Sequence, residues 1–384
     1  MGMPETVDPF PYQRPVLPGQ IINRDQETAR MVAEAHAGKL VRLDAPRRFG
    51  KTSLARRVQA ELDRDGTVGI LIDLKGVLTL SDVTFRIGAG YARLRGPLAR
   101  VARPILTSLE ARIGGSFGGA NAGLRLAAPQ PSEEAALASL LALPQRFVDR
   151  GWQRVNVCFD EFQDLLVVPG ADDKLRSVIQ HQPDAISYVF AGSQPRLMNE
   201  LFANRRRAFW SQAERVELRP LDIADCAEYI GGRFEDTGRD PGEALSPLLQ
   251  TAQGHPQRTM MLASKLWTAT PPGGEATIET WQAALADAQL QAEPEFDAVW
   301  AAQTKNQQRL LRAVALNAGR PFQKPAPEAV GLASGSIDAT VRRLVSETLL
   351  WQFEPGVFGF VDPLFGLYVR DLAGHEPATG RDRD

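Results

Sequence analysis

The run from residue 45 to residue 52 combines residue types that suit the binding of a phosphate group. Its sequence, Ala-Pro-Arg-Arg-Phe-Gly-Lys-Thr, matches G-x-x-x-x-G-K-[ST] at every fixed position except the first, where Ala45 replaces glycine. This pattern supplies backbone N–H groups that surround a phosphate, an ammonium for the β and γ oxygens, and a hydroxyl ligand for Mg²⁺. Gly50, Lys51 and Thr52 provide the essential parts, and Ala45 needs only a backbone angle that alanine can adopt.

The elements on both sides of this run are those that phosphate binding requires. Residues 39–45 form an apolar run that predicts a buried strand, and apolar residues four apart predict a helix over 51–62. The run therefore precedes a helix N-terminus, where the helix dipole favours an anion. This context favours a phosphate loop over a surface Gly-Lys-Thr that arose by chance. We assign nine residues to nucleotide binding: Ala45, Pro46, Arg47, Arg48, Phe49, Gly50, Lys51, Thr52 and Ser53.

Two adjacent carboxylates follow a third predicted strand, at 154–159. Asp160, at the carboxyl end of that strand, can hold Mg²⁺ together with Thr52, and Glu161 can orient and polarise an attacking water. The alternative is a polar strand end that meets a loop. The position of the pair after the phosphate loop favours the catalytic interpretation. Glu161 predicts hydrolysis rather than binding alone, and a GTPase is disfavoured because no N-K-x-D motif occurs.

The next predicted strand, 185–191, also ends on a polar residue. Its Gly192-Ser193 end could place a hydroxyl near the γ-phosphate, whereas a simple turn explains the same residues almost as well. Ser193 joins Glu161 and Lys51 as a catalytic candidate.

The order of predicted elements indicates an α/β protein with a parallel sheet. Strands alternate with helices up to a fifth strand at 214–220, and this alternation is typical of a P-loop NTPase core. We expect this domain to span residues 1–221. A glycine-rich insertion at about 96–131 interrupts the alternation, and a hairpin is its expected form.

The strand signal stops after the fifth strand. Helical patterns over residues 222–300 predict a small helical domain, and residues 301–374 predict a winged helix. The winged-helix signal is a helix to 317, a short helix at 327–331, a helix at 336–346 and two short strands. A polar tail follows at 375–384, and we expect it to be disordered.

Length, charge and cysteine count exclude several classes of protein. The chain has 384 residues, with 44 Lys and Arg against 46 Asp and Glu, a formal net charge of −2. This balance excludes a bulk polycation, so a nucleic-acid surface would have to be a local patch. Cys158 and Cys226 are too few for a disulfide scaffold and fit a reducing cytosol. No signal-peptide pattern and no apolar run of about 18 residues occur, so we expect a cytoplasmic protein without a membrane span.

Together the motifs resemble the archaeal-type ATPase family. That family also occurs in bacteria and is related to the signal-transducing P-loop ATPases and the origin-recognition ATPases of the AAA+ group. The resemblance covers about residues 20 to 370 and is carried by A-P-R-R-F-G-K-T-S-L, V-C-F-D-E-F-Q, F-A-G-S and G-H-P, followed by the winged helix. Residues 22–27 resemble the family's F-x-x-R-x-x-E segment near the adenine, and the glycine-rich insertion is also similar to one in the family.

The resemblance implies an ATPase core, a helical lid and a winged helix, with ATP and Mg²⁺ as cofactors. It implies that the lid motif Gly254-His255-Pro256 faces the phosphates, so that His255 senses the nucleotide. From the residues alone, the start of a helix is the favoured interpretation of that motif. The chain departs from its AAA+ relatives at the lid arginine, because Gln257 stands at that position and Arg258 follows it.

Three consecutive arginines, Arg205 to Arg207, precede the fifth strand. AAA+ relatives carry an arginine finger for a neighbouring subunit in this region, which would imply oligomerisation. The residues alone favour a solvated basic helix end.

The resulting hypothesis is an ATP-binding and ATP-hydrolysing molecular switch, slow or stimulated by a partner. ATP would close the lid, hydrolysis at Glu161 would release it, and the winged helix would signal the state to a protein partner that the sequence does not identify. The alternatives are a DNA-associated AAA+-type ATPase, such as a loader or a replication- or transposition-type ATPase, and a nucleotide-dependent scaffold with negligible turnover. DNA binding has weak support, since residues 306–372 contain seven basic against six acidic residues.

Overall fold

The structure, a computed structural model, describes residues 7–113, 132–317, 319–321 and 334–375. The chain forms two compact units. We call residues 17–218 the sheet unit, and residues 219–384 together with 1–16 the helical unit.

The sheet unit contains five strands and eight α-helices among its described residues. The strands are β1 (Leu40–Asp44), β2 (Val68–Asp73), β3 (Val155–Asp160), β4 (Ile186–Gly192) and β5 (Glu214–Glu217). The helices are α1 (Asp25–His36), α2 (Lys51–Arg64), α3 (Leu80–Ala92), α4 (Gly96–Ile113), α5 (Glu133–Leu141), α6 (Leu143–Asp149), α7 (Ala171–Ile179) and α8 (Pro195–Phe202). Short 3₁₀ turns lie at Pro18–Gln20 and Phe162–Val167.

The strands form one parallel sheet in the order β2-β3-β4-β1-β5. All residues of β3 and β4 are buried, as expected for central strands of a sheet with helices on both faces. Asp44 of β1 pairs with Gly192 of β4, and Asp160 ends β3 beside them. The carboxyl ends of these three strands therefore meet at one edge of the sheet. The predicted α/β fold class is confirmed.

The segment that begins at residue 96 differs from its expected form. Instead of a hairpin, residues 96–113 form helix α4, and the glycine-rich remainder of the insertion lies outside the described residues. The helix forms because Ala102, Leu106 and Leu109 recur on one face and are buried in the hydrophobic core. The expectation rested on the glycine-rich run at 114–123, which lies outside the described residues, whereas the helix precedes that run and accommodates Pro104. Helix α1 was also not predicted.

Aromatic side chains fill the core below the acidic strand end. Phe162, directly after Glu161, lies 4.5 Å from Phe190 of β4 and 5.4 Å from Phe209, measured between ring centroids. Burying such a side chain contributes about 1.5–3 kcal/mol, and each aromatic pair about 0.5–1.5 kcal/mol more. This packing fixes the backbone on which Glu161 stands.

The helical unit contains the remaining described elements. They are α9 (Ile223–Asp236), α10 (Leu245–Ala252), α11 (Pro256–Ala269), α12 (Ile278–Ala301), α13 (Lys305–Leu316), α14 (Ser334–Ser346), β6 (Leu350–Glu354), β7 (Val357–Phe360), α15 (Pro363–His375) and a 3₁₀ turn at Gly242–Ala244. Strands β6 and β7 form an antiparallel hairpin. The order α13, α14, hairpin is that of the predicted winged helix; the short helix expected at 327–331 and the tail from residue 376 lie outside the described residues.

The start of the chain belongs to the helical unit, whereas the sequence assigned it to the ATPase core. The reason is a long-range hydrophobic contact. Phe10 is fully buried and its ring lies 5.6 Å from that of Phe234 in α9. Asp8 accepts a hydrogen bond of 2.6 Å from Ser264 in α11. Nothing in the local pattern of residues 1–16 indicates these partners.

Neither the cysteines nor the helices contradict the expected class of protein. Cys158 and Cys226 are both free and buried. Among the described residues, none of the helices combines the length and the apolar character needed to cross a bilayer. The compartment stays a prediction.

The turn before α11 has a strict requirement for glycine. Gly254 has φ +69°, and a Cβ added there would lie 2.2 Å from the carbonyl oxygen of Leu221. The two backbones approach because the Leu221 N–H donates to the Gly254 carbonyl at 2.8 Å. This close approach fixes the start of α11 and hence the position of His255.

Gly254→Ala should therefore lower the free energy of unfolding by at least about 1–3 kcal/mol, the cost of a left-handed non-glycine residue before the clash is added. Gly232→Ala is the matched control in the same unit, since Gly232 lies in α9 with open space around it. That change should be neutral or stabilising by up to about 1 kcal/mol. Urea unfolding of both variants measures the difference, and equal stabilities would contradict the assigned geometry.

Candidate active site

The loop between β1 and α2 has the backbone form of an anion-binding site. Arg48 and Gly50 both adopt left-handed conformations, with φ of 68° and 84°. Left-handed residues between ordinary ones turn successive N–H groups toward a common centre. Gly50 accepts this conformation without steric cost, whereas Arg48 stores about 1–3 kcal/mol of strain. Ala45 keeps a negative φ and donates its N–H to the Gly192 carbonyl at 3.3 Å, so alanine fits where the motif has glycine.

The other loop side chains divide between anchors and exposed cations. Pro46, Phe49 and Ser53 are buried, and Phe49 is only 1% exposed. Arg47 and Arg48 are exposed. Buried side chains thus anchor the loop, and two guanidinium groups lie on its exposed side.

Lys51, the first residue of α2, is buried within the loop it follows. Its Nζ donates to the carbonyl oxygens of Ala45 and Pro46, both at 3.2 Å. Burial lowers the pKa of Lys51, and the negative charges of Glu161 and Asp160 partly oppose this shift. A phosphate would offer this ammonium a charged acceptor in place of two neutral carbonyls.

Thr52 and Asp160 meet where the motifs predict a metal ion. The Thr52 hydroxyl donates to Asp160 Oδ2 at 2.5 Å. Burial raises the pKa of Asp160, although the hydrogen bond from Thr52 and the charge of Lys51 act in the opposite direction. A buried carboxylate next to a hydroxyl is a suitable pair of hard oxygen ligands for Mg²⁺, whose charge would offset the cost of burying the carboxylate.

The remaining ligands of such an ion would come from the nucleotide and from water. In the part of the chain that the structure describes, no three His, Cys, Asp or Glu side chains are grouped to hold a metal by themselves. Magnesium commonly binds through one or two protein oxygens together with phosphate and water. Thr52 and Asp160 fit that mode.

Glu161 stands in a strained backbone conformation at the end of β3. Its φ is 52°, left-handed for a residue that is not glycine, and such strain is typical of functional sites. Burial acts to raise the pKa of Glu161, but hydrogen bonds from Ser193 and Gln163 and the charges of Lys51 and Arg47 outweigh it and hold that pKa below its ordinary value. Glu161 therefore stays ionised and can accept a proton or a hydrogen bond.

Ser193 lies next to Glu161, as the parallel sheet requires. Its hydroxyl donates to Glu161 Oε2 at 2.6 Å, and the side chain is buried. The structure therefore brings together five predicted residues of the sheet unit: Lys51, Thr52, Asp160, Glu161 and Ser193.

Sequence reasoning missed one member of this cluster. Gln163 donates to Glu161 Oε2 at 2.6 Å, and its Oε1 accepts the backbone N–H of Ser193 at 3.2 Å. It lies in the F-D-E-F-Q motif that carried the family resemblance. The available signal was the polar pair Gln163-Asp164 between Phe162 and the apolar run at 165–168.

A buried ion pair supports the base of the phosphate loop. Arg42 contacts both oxygens of Asp44, at 2.7 and 2.6 Å, and Arg215 of β5 donates to Asp44 at 2.8 Å. Arg42 also donates to Asn199 of α8 at 2.7 Å. Asp44 directly precedes Ala45, so these contacts tie the first loop residue to two neighbouring elements. The sequence analysis did not identify them.

His255 and Pro256 lie in the helical unit, and the approach of the lid motif to the phosphates stays a prediction. His255 is the N-cap of α11, where its Nδ1 accepts the Arg258 N–H at 3.2 Å, and Pro256 is the first helical residue. The interpretation of this motif as the start of a helix is thus confirmed. A neutral imidazole that accepts at Nδ1 carries its proton on Nε2.

Arg258 contacts the segment that leads into α15. Its Nε and Nη2 bind both oxygens of Asp362 at 2.6–3.0 Å, and its guanidinium lies 5.3 Å from the Phe296 ring centroid. Burial acts to raise the pKa of Asp362, but the hydrogen bond and charge of Arg258 lower it overall. Arg258 is therefore engaged within the helical unit, and any contact with a nucleotide stays a prediction.

The three consecutive arginines before β5 have different environments. Arg207 forms ion pairs with Asp172 at 3.5 Å and Glu200 at 3.3 Å, and Arg205 lies 5.7 Å over the ring of Trp210. Arg206 is exposed, and its side chain has no partner among the described residues. Any role toward a neighbouring subunit stays a prediction.

Comparison with known proteins gives a fold but no sequence family. No protein-family model matches the chain, and no curated protein matches it. The Walker-type ATPase PABY2304 of Pyrococcus abyssi is similar in structure, with a TM-score of 0.68 and 16% identity over 94% of this chain and 99% of that one. The ORC2 protein of Aeropyrum pernix, in ADPNP–ADP complexes, has a TM-score of 0.55 and 12% identity over 96% and 99%.

These likenesses extend over both units of the chain. At 16% and 12% identity they concern the fold of the chain. The resemblance to archaeal-type ATPases is thus confirmed at the level of the fold: the chain has the α/β fold of the P-loop ATPases, with a helical lid and a C-terminal winged helix.

Proposed function

We propose that the protein is an ATP-binding and ATP-hydrolysing molecular switch that uses Mg²⁺. The observation that carries this proposal is the convergence of one ammonium, two hydroxyls and two carboxylates at the carboxyl edge of β1, β3 and β4. That set matches the requirements of phosphoryl transfer, in which positioning and charge stabilisation do most of the work. The nucleotide complexes of the Aeropyrum protein, which shares the fold, support the same class of ligand.

Each residue has a defined part in the proposed hydrolysis. The loop N–H groups and Lys51 bind the phosphates, and Thr52 and Asp160 hold Mg²⁺, which when bound neutralises phosphate charge. Glu161 Oε2 accepts hydrogen bonds from Ser193 and Gln163, while Oε1 has no partner among the described residues. Oε1 is therefore the oxygen that orients the attacking water and accepts its proton.

A contact within the helical unit supports the signalling part of the proposal. His255 caps α11 through the Arg258 N–H, and the Arg258 side chain binds Asp362 at the start of α15. Bidentate arginine–carboxylate pairs are geometrically specific, so a displacement of the His255 turn would reach α15. The winged helix can then signal the nucleotide state to a protein partner.

The DNA-binding alternative has less support. The expected recognition helix, α14, has its arginines next to carboxylates: Arg342 lies 3.5 Å from Asp338, and Arg343 lies 2.7 Å from Glu347. Paired arginines contribute less positive potential toward a phosphate backbone. Stimulation of ATP hydrolysis by double-stranded DNA at physiological salt would favour the alternative.

Lys51→Ala tests the binding of ATP. The change removes a charge-assisted contact worth about 1.5–3 kcal/mol, so ATP affinity should fall roughly tenfold or more. Isothermal titration with Mg-ATP measures it, and Lys174→Ala, which removes a surface pair with Glu134, is the control that should bind normally. Unchanged affinity in the Lys51 variant would sink the assignment of the phosphate loop.

Glu161→Gln tests the chemical step. Glutamine keeps the size of the side chain but cannot accept the proton, so hydrolysis should fall by about 10²-fold or more while ATP still binds. Phosphate release under single-turnover conditions measures the rate. Glu61→Gln, which removes an exposed pair with Arg64, should leave turnover unchanged. Equal, measurable rates for Glu161→Gln and the wild type would reassign Glu161 to a structural strand end, whereas negligible turnover in the wild type would favour the scaffold hypothesis.

Limited proteolysis tests the lid. The Glu161→Gln protein should show different cleavage within residues 271–305, which include α12, with ATP than with ADP, because a ligand shifts an equilibrium only through differential affinity. His255→Asn should abolish the difference while an asparagine side chain still caps α11. Identical digestion patterns for the apo, ADP and ATP states would mean a static lid.

A further inference from the structure

Gln163 occupies a central position between the two catalytic candidates at the strand ends. It lies in the 3₁₀ turn that follows β3, and it is 1% exposed. Its Nε2 donates to Glu161 Oε2 at 2.6 Å. Its Oε1 accepts the backbone N–H of Ser193 at 3.2 Å. One side chain thus connects the end of β3 with the end of β4.

The chemistry of its neighbours fixes the orientation of the Gln163 amide. Nε2 also donates to Asp164 Oδ1 at 3.0 Å, and carboxylates can only accept. The Ser193 backbone N–H can only donate, so Oε1 must face it. A flipped amide would place its N–H₂ against the Ser193 N–H and its oxygen against two carboxylates. Both N–H groups and the oxygen of Gln163 are therefore used in a single arrangement.

Asp164 extends this arrangement to a third strand end. Its Oδ2 accepts the Gly76 N–H at 2.7 Å, and Gly76 lies in the turn after β2. Phe162, between Glu161 and Gln163, is fully buried in the aromatic cluster. The backbone that carries Gln163 is thus held from both sides, which gives its amide a defined position.

The Ser193 hydroxyl has only one proton to donate. Here that proton is directed at Glu161 Oε2, at 2.6 Å. If Ser193 donates to a γ-phosphate oxygen, it can no longer donate to Glu161. Glu161 would then retain a single side-chain hydrogen bond, the one from Gln163. That hydrogen bond would then be the remaining side-chain contact that orients the carboxylate.

We propose that Gln163 is the positioning residue of the ATPase site: it holds the Glu161 carboxylate in its working orientation when the Ser193 hydroxyl turns to the γ-phosphate. This inference rests on the proposed ATP hydrolysis. In this role Gln163 acts through Glu161, and its hydrogen bonds go to protein groups. Its loss should therefore affect the rate of the chemical step and leave ATP binding intact.

Two variants test this role. Gln163→Met keeps the length of the buried side chain and removes all its hydrogen bonds, while Gln163→Glu keeps an acceptor for the Ser193 N–H and places a carboxylate against Glu161. Both should lower kcat by about 10- to 100-fold, the scale of a misplaced catalytic group, with KM for ATP within threefold of the wild type. Gln163→Glu should be the slower, since it adds repulsion between like charges.

Gln182→Met is the matched control. Gln182 is also bonded through both amide atoms, to the Leu141 carbonyl and the Tyr188 hydroxyl, but it precedes β4 at the opposite end of that strand. Its loss should leave kcat within twofold. Melting temperatures of all variants identify any that do not fold, and Gln163→Glu, with its nearly unchanged shape, remains informative if Gln163→Met is unstable.

The decisive measurement combines Gln163→Met with Glu161→Gln. If Gln163 acts through Glu161, the double variant should hydrolyse ATP no more slowly than Glu161→Gln alone in single-turnover assays. Additive losses, or a loss of ATP affinity that parallels the loss of kcat, would overturn the inference in favour of a general structural role. Unchanged kcat in folded Gln163 variants would overturn the role of Gln163 and leave the proposed hydrolysis intact. A wild-type protein without turnover would overturn both.

Discussion

The parallel pairing of β1, β3 and β4 is the constraint on which the candidate site depends. Parallel strands end at the same edge of a sheet, so three residues far apart in the chain, Asp44, Asp160 and Gly192, are brought side by side. Asp160 is the last residue of its strand, and the other functional side chains lie directly after the strand ends. A slip of one residue in the pairing of β3 would turn Asp160 to the other face of the sheet. The buried aromatic cluster beneath this edge makes such a slip costly.

Burial of charge is the second feature of the site. Lys51 and Asp160 are both buried, and each is stabilised by the other as well as by local hydrogen bonds. A buried charge without a partner is strongly unfavourable, so the cluster holds together only as a set. An incoming polyphosphate with its metal ion would add both signs of charge. The site is thus suited to a ligand that brings its own counterion.

The sequence predicted those parts of the molecule whose causes are local. Apolar runs and four-residue spacing gave the strands and most helices, and the phosphate loop followed from residue types at fixed positions. Helix α4 was missed because the expectation for the whole insertion rested on its glycine-rich run at 114–123, although the buried face of the helix is periodic. Gln163 was missed because its partners lie on another strand. Its role depends on distances that no linear pattern contains.

The same limit applies to the helical unit. The contact of Arg258 with Asp362 joins residues 104 positions apart, and neither sequence neighbourhood points to the other. The phosphate loop differs, since strand, loop and helix are contiguous and each is specified by its own residues. Contiguous sites can therefore be predicted from sequence, whereas sites assembled from distant segments require the structure.

The burial of Phe10 against α9 has a consequence for the order in which the protein assembles during translation. Residues 1–16 belong to the helical unit, residues 17–218 form the sheet unit, and the helices that contact Phe10 and Asp8 follow only after residue 218. Asp8 and Ser264 are 256 positions apart, so this contact forms only after the sheet unit has left the ribosome. Domains generally fold as units during synthesis, N-terminal first. In this protein Phe10 is synthesised long before Phe234, its partner in α9, so Phe10 stays without that partner until the sheet unit has been synthesised.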